Sequence, residues 1–194
     1  MPSKFRPSHF SILAMAAGSF ALTGCIGGVG DAFDSRQNVG PCPPAASLYD
    51  SARVVELEGG ETFGNITYTG EITGVELFCR YAGSDPIRAD LQLEFAFGKG
   101  PSGTADSHNY TYWVAVTRRN GAVLAKEHFS VDADFRESVV DATRVELKDI
   151  VIPRADETIS GVNFEVLVGF DLTDEQLEFN RAGKRFRLDA NSGS

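Results

Sequence analysis

A run of strict alternation between apolar and polar residues constrains this chain more than any other stretch. In this run the apolar residues alternate with charged or amide-bearing ones: Ile87, Ala89, Leu91, Leu93, Phe95 and Phe97 against Arg88, Asp90, Gln92 and Glu94. Successive side chains of a β-strand point to opposite faces of its sheet, so this period of two predicts a strand with one buried and one solvated face. The buried face needs a second layer of structure to cover it.

An Asn-Gly pair predicts a hairpin further along the chain. Asn120 and Gly121 separate two largely apolar stretches, residues 110–118 and 122–131. Asn-Gly between two strands is the strongest short-range signal for a two-residue type I′ turn, because that turn needs positive φ at both central residues. The turn also fixes the register of the two strands.

This register decides which face of the hairpin carries Trp113, the only tryptophan of the chain. Counting outward from the turn places Trp113 opposite His128, on the same polar face as Lys126. An aromatic ring beside a cation gains roughly 0.5 to 1 kcal/mol, so Trp113, Lys126 and His128 form a candidate contact patch. Val114 then meets Glu127 on the apolar face. A bulge at that pair, or a second layer over the polar face, would make Trp113 a core residue instead.

Short strands and frequent turn signals continue through the rest of the body. Further strand-like stretches cover residues 48–57, 65–68, 72–81, 143–152 and 163–172. Gly70 separates the second of these stretches from the third. Thr173 and Gln176 have the spacing of a capping box, which predicts a short helix after the last of these strands. We therefore predict an all-β fold, an antiparallel β-sandwich with one short C-terminal helix and an immunoglobulin-like Greek key as the favoured topology.

The amino-terminal segment has the parts of an export signal. Lys4 and Arg6 give a positive start, and Phe10 to Leu22 form an apolar run of 13 residues. A run of that length is too short to cross a bilayer core of about 30 Å as a permanent helix. The segment predicts a signal peptide, residues 1–24, and an exported protein.

The segment ends in Leu22-Thr23-Gly24-Cys25, which resembles the lipobox of bacterial lipoproteins. The resemblance implies cleavage before Cys25 by a lipoprotein signal peptidase, after a diacylglyceryl group has been attached to its sulfur; palmitate is the expected acyl modification. In Gram-negative lipoproteins an Asp in the next position often retains the protein at the inner membrane. Ile26 therefore favours the periplasmic face of the outer membrane, with the inner membrane as the alternative. An ordinary secretory signal with a free Cys25 thiol is the other interpretation.

Behind the signal the chain divides into three parts. Residues 25–44 are predicted to form a tether, because they hold several Gly and Pro residues and no sustained apolar period. The resemblance to a lipobox implies that this tether is lipidated at Cys25. We expect residues 45–190 to form the β-sandwich domain and residues 191–194 to form a disordered tail. The whole layout resembles that of the small uncharacterised envelope lipoproteins of alphaproteobacteria, a likeness that transfers no site.

Two cysteines, Cys42 and Cys79, remain once Cys25 carries the lipid. An exported chain meets an oxidising compartment, so the pair predicts a disulfide bond. A cross-link that closes a loop of this length stabilises a fold by roughly 3 to 4 kcal/mol through the entropy of the unfolded chain.

Charge and histidine content exclude several classes of function. The formal net charge is −9, and loss of Lys4 and Arg6 with the signal makes the mature chain about −11. Such a surface repels phosphate backbones, so nucleic acid is not an expected partner. The three histidines, His9, His108 and His128, lack the spacing of a metal site, and we predict neither a metal nor a cofactor.

Four basic residues lie close together near the C terminus: Arg181, Lys184, Arg185 and Arg187. The favoured interpretation is that these residues form a solvent-exposed basic face, whose charge offsets the acidic rest of the chain. The alternative is that they contact anionic lipid headgroups.

The loop predicted at residues 98–109 offers the only residues for an enzymatic alternative. Asp106-Ser107-His108 contains the residue types of a catalytic triad, but neighbours in sequence do not form one, because its members converge from distant positions. We therefore predict a non-catalytic binding or structural module of the cell envelope. Its partners are the membrane, through the lipid anchor, and an unidentified envelope protein or component. The alternative is an envelope enzyme that uses this loop.

Overall fold

The computed structural model describes residues 40–185, which form two four-stranded sheets and one helix. The elements are β1 (Ala45–Ser47), β2 (Arg53–Leu57), β3 (Ile66–Arg80), β4 (Ile87–Lys99), β5 (Ser107–Arg118), β6 (Val123–Asp134), β7 (Val140–Ile152), β8 (Phe164–Phe170) and α1 (Asp174–Arg181). The first sheet has the strand order β1-β8-β5-β6 and the second β2-β3-β4-β7. Strand β1 is parallel to β8, and the other pairs are antiparallel.

The two sheets confirm the predicted antiparallel β-sandwich with a short C-terminal helix. The immunoglobulin-like topology within that class is not confirmed by these strand orders. The predicted signal peptide, Cys25, most of the predicted tether and the predicted tail at 191–194 lie outside the described residues.

The core lies between the inner faces of the two sheets. The alternation predicted for β4 is confirmed, since Leu91 and Leu93 are fully buried and Phe95 is 1% exposed. The Phe95 ring centroid lies 5.1 Å from that of Tyr112 in β5 and 5.9 Å from that of Phe170 in β8, so these rings join the two sheets. Burial of each large apolar side chain stabilises the fold by about 1.5 to 3 kcal/mol.

Strand β3 runs without interruption from Ile66 to Arg80, so the predicted break at Gly70 is wrong. Gly70 is buried inside the strand, where a Cβ atom would lie 3.0 Å from Val54 Cγ1 and 3.1 Å from Phe170 Cζ. Glycine therefore makes room here for a ring of the opposite sheet rather than ending the strand.

The single strand predicted at residues 48–57 is too long, because only Arg53–Leu57 form a strand and the chain changes sheets just before them. Strand β1 pairs with β8 in the first sheet, Tyr49–Ser51 form a 3₁₀ turn, and β2 pairs with β3 in the second sheet. The Ser51 side chain is buried at the crossing, and its hydroxyl donates to the Leu48 carbonyl at 3.4 Å. Neither Gly nor Pro marks this point in the sequence.

The hairpin of β5 and β6 has the predicted register but a different turn. The Gly121 N–H donates to the Arg118 carbonyl and the Arg118 N–H to the Ala122 carbonyl, both at 2.8 Å. Gly121 has φ +84°, whereas Asn120 keeps a negative φ, so the turn is a three-residue turn ending in a left-handed glycine rather than type I′. A bulge at Leu124 cancels the extra residue, and the pairs beyond it match the prediction.

Helix α1 begins where the capping box predicts. The Thr173 hydroxyl accepts from the Gln176 N–H at 3.2 Å, and the Gln176 side chain accepts from the Thr173 N–H at 2.9 Å. The helix packs on the 3₁₀ turn, where the Asn180 amide donates to the carbonyls of Asp50 and Arg53, both at 2.8 Å. Between residues 40 and 185, no helix has the length and apolar character needed to cross a bilayer.

The first described residues are clamped to the domain. The predicted Cys42–Cys79 disulfide is confirmed, with a Cα–Cα distance of 5.6 Å, and it ties the segment before β1 to the end of β3. Next to it the Tyr81 hydroxyl donates to the Pro41 carbonyl at 2.5 Å and accepts from the Gly161 N–H at 3.0 Å.

Removal of this disulfide should destabilise the domain. We expect the double variant Cys42→Ala/Cys79→Ala to unfold with a free energy about 3 to 4 kcal/mol lower than the oxidised parent, because its unfolded chain is no longer cross-linked. Urea unfolding of the mature chain measures the difference. Reduction with dithiothreitol should weaken the parent by a similar amount and leave the double variant unchanged. A double variant as stable as the oxidised parent contradicts the prediction.

Candidate functional site

The two sheets separate along one side of the sandwich and leave an open cleft. The long strands β6 and β7 are the edges of the first and the second sheet, and they border the cleft. Its volume is about 460 Å³, which lies in the range of ligand-binding pockets. The lining consists of residues 146–151 of β7 and of Val114, Val116, Ala125, Glu127 and Phe129 from β5 and β6.

The opposite side of the sandwich is closed. Its edge strands β1 and β2 are only three and five residues long, and the Tyr49–Ser51 turn and helix α1 pack beside them. On the open side, by contrast, Ala125 and Glu127 point into the cleft and are still exposed. The cleft therefore opens the core on the side of β6 and β7, whereas the side of β1 and β2 is covered.

Glu127 is a charged residue among the inward-facing, otherwise apolar side chains of β6. It pairs with Val114 as the register predicts, and the ladder from Tyr112 to Val116 shows no bulge. Its carboxylate has no hydrogen-bond or ion-pair partner among residues 40–185. A lone carboxylate beside apolar walls favours a ligand with a cationic or hydrogen-bond-donating group at this point.

Strand β7 carries a bulge at the other lip of the cleft. Lys148 and Asp149 together oppose Asp90 of β4, and Asp149 has φ +57°. The Asp149 N–H donates to the Asp90 carboxylate at 3.0 Å, while the Arg80 guanidinium contacts both the Asp90 and the Asp149 carboxylate, the latter at 3.3 Å. Bulges of this kind re-aim side chains and often adjoin functional sites.

The predicted contact patch lies on the outer face of the same hairpin. Trp113 pairs with His128, and the Lys126 ammonium nitrogen lies 4.7 Å from the centroid of the Trp113 ring. The Trp113 Nε1–H donates to the Phe170 carbonyl at 3.1 Å, and His128 Nδ1 lies 3.2 Å from the Asp171 carboxylate. The three patch residues therefore share the outer face of the β5–β6 hairpin, and the inner face of the same hairpin lines the cleft.

Trp113 does not turn into the core. Its ring rests against Gly169, where a Cβ atom would lie 2.6 Å from Trp113 Cζ2 and 2.1 Å from the Ser51 hydroxyl oxygen. The 3₁₀ turn that carries Ser51 thus covers part of the ring, which is half-buried. The β5–β6 hairpin consequently has an apolar face that carries the Glu127 carboxylate and an opposite face that carries Trp113, Lys126 and His128.

The loop predicted at residues 98–109 is shorter in the structure, because β4 continues to Lys99 and β5 begins at Ser107. It carries the chain from the second sheet to the first and is fixed to β3, since the Gly100 N–H donates to the Thr67 carbonyl at 2.7 Å. A crossing between sheets needs more residues than a simple hairpin, which explains the length of the segment.

The residues of Asp106-Ser107-His108 do not form a hydrogen-bonded set with one another. The Asp106 carboxylate lies 3.1 Å from the Lys99 ammonium nitrogen. His108 Nε2 lies 3.0 Å from a Glu56 carboxylate oxygen, and the imidazole stacks on the Tyr68 ring at a centroid distance of 4.0 Å. Between residues 40 and 185, no group of three His, Cys, Asp or Glu side chains is placed to hold a metal ion.

The basic residues near the C terminus contact earlier segments of the chain. Each has an acidic or phenolic partner: Arg181 lies 3.3 Å from Asp50, Lys184 pairs with Glu61, and Arg185 bonds the Tyr49 hydroxyl at 2.5 Å. Arg187 lies outside the described residues. This pairing is the arrangement expected of a solvated face that opposes acids.

Comparison of the chain with protein families, with curated proteins and with solved structures finds no match. The cleft itself has no sequence motif. Its one signal is Glu127, the charged residue that breaks the apolar face of the predicted hairpin.

The contacts of Asp90 predict a pH-dependent stability. Hydrogen bonds from the Arg80 side chain and from the Asp149 N–H lower the pKa of Asp90 from 3.8 to about 2. A carboxyl group with a depressed folded-state pKa stabilises the fold above its unfolded pKa, and this contribution disappears as the pH falls from 3.8 to about 2.

Urea unfolding at pH 7 and at pH 2 tests this linkage. Asp90→Asn should be less stable than the parent at pH 7, and the difference should be much smaller at pH 2, where the folded-state carboxyl is already partly protonated. Asp85→Asn is the control, because the Asp85 carboxylate bonds no group among the described residues, and it should match the parent at both pH values. A difference for Asp90→Asn that persists unchanged at pH 2 would overturn the prediction.

Proposed function

We propose that the mature chain is a lipid-anchored, non-catalytic binding module on the periplasmic face of the outer membrane, and that its binding site is the β6 edge with the adjoining cleft. The observation that carries the proposal is the open, largely apolar cleft of about 460 Å³ between two long edge strands. The inner membrane is the alternative location.

An extended peptide segment of an envelope protein is the ligand that fits this site best. An edge strand leaves a row of N–H and C=O groups unpaired, and an added strand gains main-chain hydrogen bonds while its alternate side chains provide specificity. A strand added to β6 directs one set of side chains into the cleft and the other set over Trp113, Lys126 and His128. The unpaired Glu127 carboxylate favours a segment with a basic residue among its apolar ones.

The two edges of the cleft differ in how readily they accept a strand. On β7 the bulge at Lys148 and Asp149 interrupts the ladder and places a residue with positive φ at the edge. On β6 the pairs from Ala125 to Phe129 are regular. A regular strand offers evenly spaced backbone groups, so β6 is the docking edge and β7 forms the opposing wall.

The lipid anchor rests on the resemblance of Leu22-Thr23-Gly24-Cys25 to a lipobox. The Cys42–Cys79 disulfide supports an oxidising compartment. Because that disulfide uses the other two cysteines, Cys25 is left as the sulfur for acylation.

Metabolic labelling with radioactive palmitate tests the anchor. The parent should incorporate the label, and Cys25→Ala should lose it completely, because the acylated sulfur is removed. The variant Cys42→Ala/Cys79→Ala is the matched control and should keep the label. An unlabelled parent, or a labelled Cys25→Ala variant, would sink the anchor proposal.

Site-specific photo-crosslinking in cells tests the cleft. A photoreactive residue at Glu127 should give a defined protein adduct, because the β6 backbone and the apolar walls of the cleft still bind the segment without that carboxylate. The same residue at Arg144, which is exposed on β7, should give none. Ala125→Phe fills the cleft and should lower the adduct yield about tenfold or more, because burial of one apolar ligand side chain contributes about 1.5 to 3 kcal/mol.

The matched control for cleft filling is Ala142→Phe. Ala142 is also an exposed alanine of an edge strand, but it pairs with Ala96 on the outer face of the second sheet. This variant should leave the adduct at Glu127 unchanged. Equal yields from Glu127 and Arg144, or an adduct insensitive to Ala125→Phe, would exclude the cleft as the binding site.

A further inference from the structure

The end of the sandwich at which the described chain begins also carries two exposed turns. The Tyr81 hydroxyl joins the Pro41 carbonyl to the Gly161 N–H. Two residues further on, the Asn163 carbonyl accepts from the Arg119 N–H in the β5–β6 turn at 3.1 Å. The start of the described chain, the turn at 161–163 and the β5–β6 turn therefore lie side by side.

These turns combine unpaired cations with exposed apolar side chains. Arg118 and Arg119 are exposed, and neither forms an ion pair with a residue of the described part of the chain. Val123 and Val162 are 60% and 42% exposed. We name these four residues the tether-end patch. Guanidinium groups bind phosphate by paired hydrogen bonds, and small apolar side chains enter the headgroup boundary, so the combination suits a phospholipid surface.

The opposite end of the sandwich has a different charge. Its loops and helix α1 carry a surplus of acids, namely Glu58, Glu61, Asp106, Asp134, Glu137, Asp174, Glu175 and Glu178 against Lys99, Arg136, Arg181, Lys184 and Arg185. Around the tether-end patch, the three acids Asp85, Asp156 and Glu157 face Arg88 and Arg154, and Arg118 and Arg119 of the patch bring the bases to four. An anionic surface therefore repels the far end of the domain more strongly than the end where the described chain begins.

We propose that the tether-end patch rests on anionic phospholipid headgroups and that the domain stands on the bilayer with its acidic end outward. This inference deepens the proposed function and rests on its lipid anchor, since Cys25 lies only 15 residues before Gly40. Even fully extended, 15 residues reach at most about 50 Å. The patch is thus the part of the domain that an anchor at Cys25 brings nearest to the headgroups.

Vesicle sedimentation tests the patch without the anchor. The probe is the oxidised mature chain beginning at Cys25, with the Cys25 thiol blocked by alkylation, so that binding does not depend on acyl chains. We expect it to bind vesicles of phosphatidylcholine mixed with phosphatidylglycerol and not vesicles of pure phosphatidylcholine. High salt should release it from the anionic vesicles. A basic residue close to an anionic surface strengthens binding about fivefold, so Arg118→Gln/Arg119→Gln should lower the partition coefficient about 30-fold.

A second pair of neighbouring cations provides the matched control. Lys184→Gln/Arg185→Gln removes the same charge from exposed positions beside helix α1, and it should change the partition coefficient less than about threefold if position matters more than net charge. Arg118→Lys/Arg119→Lys should restore most of the binding.

Two outcomes overturn the proposal: a parent chain that does not bind the anionic vesicles, or equal losses from the two glutamine pairs. Palmitate labelling reports on the anchor independently, so failure of the patch and failure of the anchor are distinguishable.

Discussion

The structure depends on one seam of aromatic packing between the two sheets. Phe95 and Phe97 of β4 meet Tyr110 and Tyr112 of β5 and Phe170 of β8, with ring centroids 4.5 to 6.0 Å apart. Burial raises the pKa of Tyr112 to about 12 and that of Tyr110 further still, so both phenols stay neutral in the core. The Tyr110 hydroxyl also donates to the Thr69 carbonyl at 2.9 Å, which satisfies its polar group and adds a directed bond between the sheets.

This aromatic packing does not involve the first described residues, 40–47. Three further contacts fix them to both sheets. The Cys42–Cys79 disulfide joins them to β3 of the second sheet, while β1 adds them to β8 of the first. The Tyr81 hydroxyl holds the Pro41 carbonyl between them. A force applied along the chain from the amino-terminal side therefore meets the disulfide before it reaches the short β1 ladder. The disulfide therefore carries the force in place of the hydrogen bonds between β1 and β8, which are weak because β1 has only three residues.

Sequence patterns predict those features that neighbouring residues decide. The alternation at residues 87–97 and the capping box at Thr173 are both confirmed, because each depends on a local period. The register of β5 with β6 is correct although the turn type is wrong, since the bulge at Leu124 compensates for the longer turn. Gly70 and the crossing at Ser51 are misjudged because contacts between the sheets decide them. The cleft escapes prediction for the same reason, since it exists only between two strands of different sheets.

An open cleft between two edge strands exposes a domain to uncontrolled pairing, and the charges of β6 bear on this. In an antiparallel pairing of two copies centred on the cleft, Glu127 of one copy lies opposite Glu127 of the other, and like charges directly opposite each other destabilise a sheet. A segment with Lys or Arg at that position gains an attraction instead. The bulge at Lys148 and Asp149 removes the regular ladder from the second edge. The Glu127 carboxylate thus disfavours pairing with a second copy of this chain and favours a segment that carries a basic residue. An exposed edge strand becomes specific when the same side chain attracts one partner and repels another.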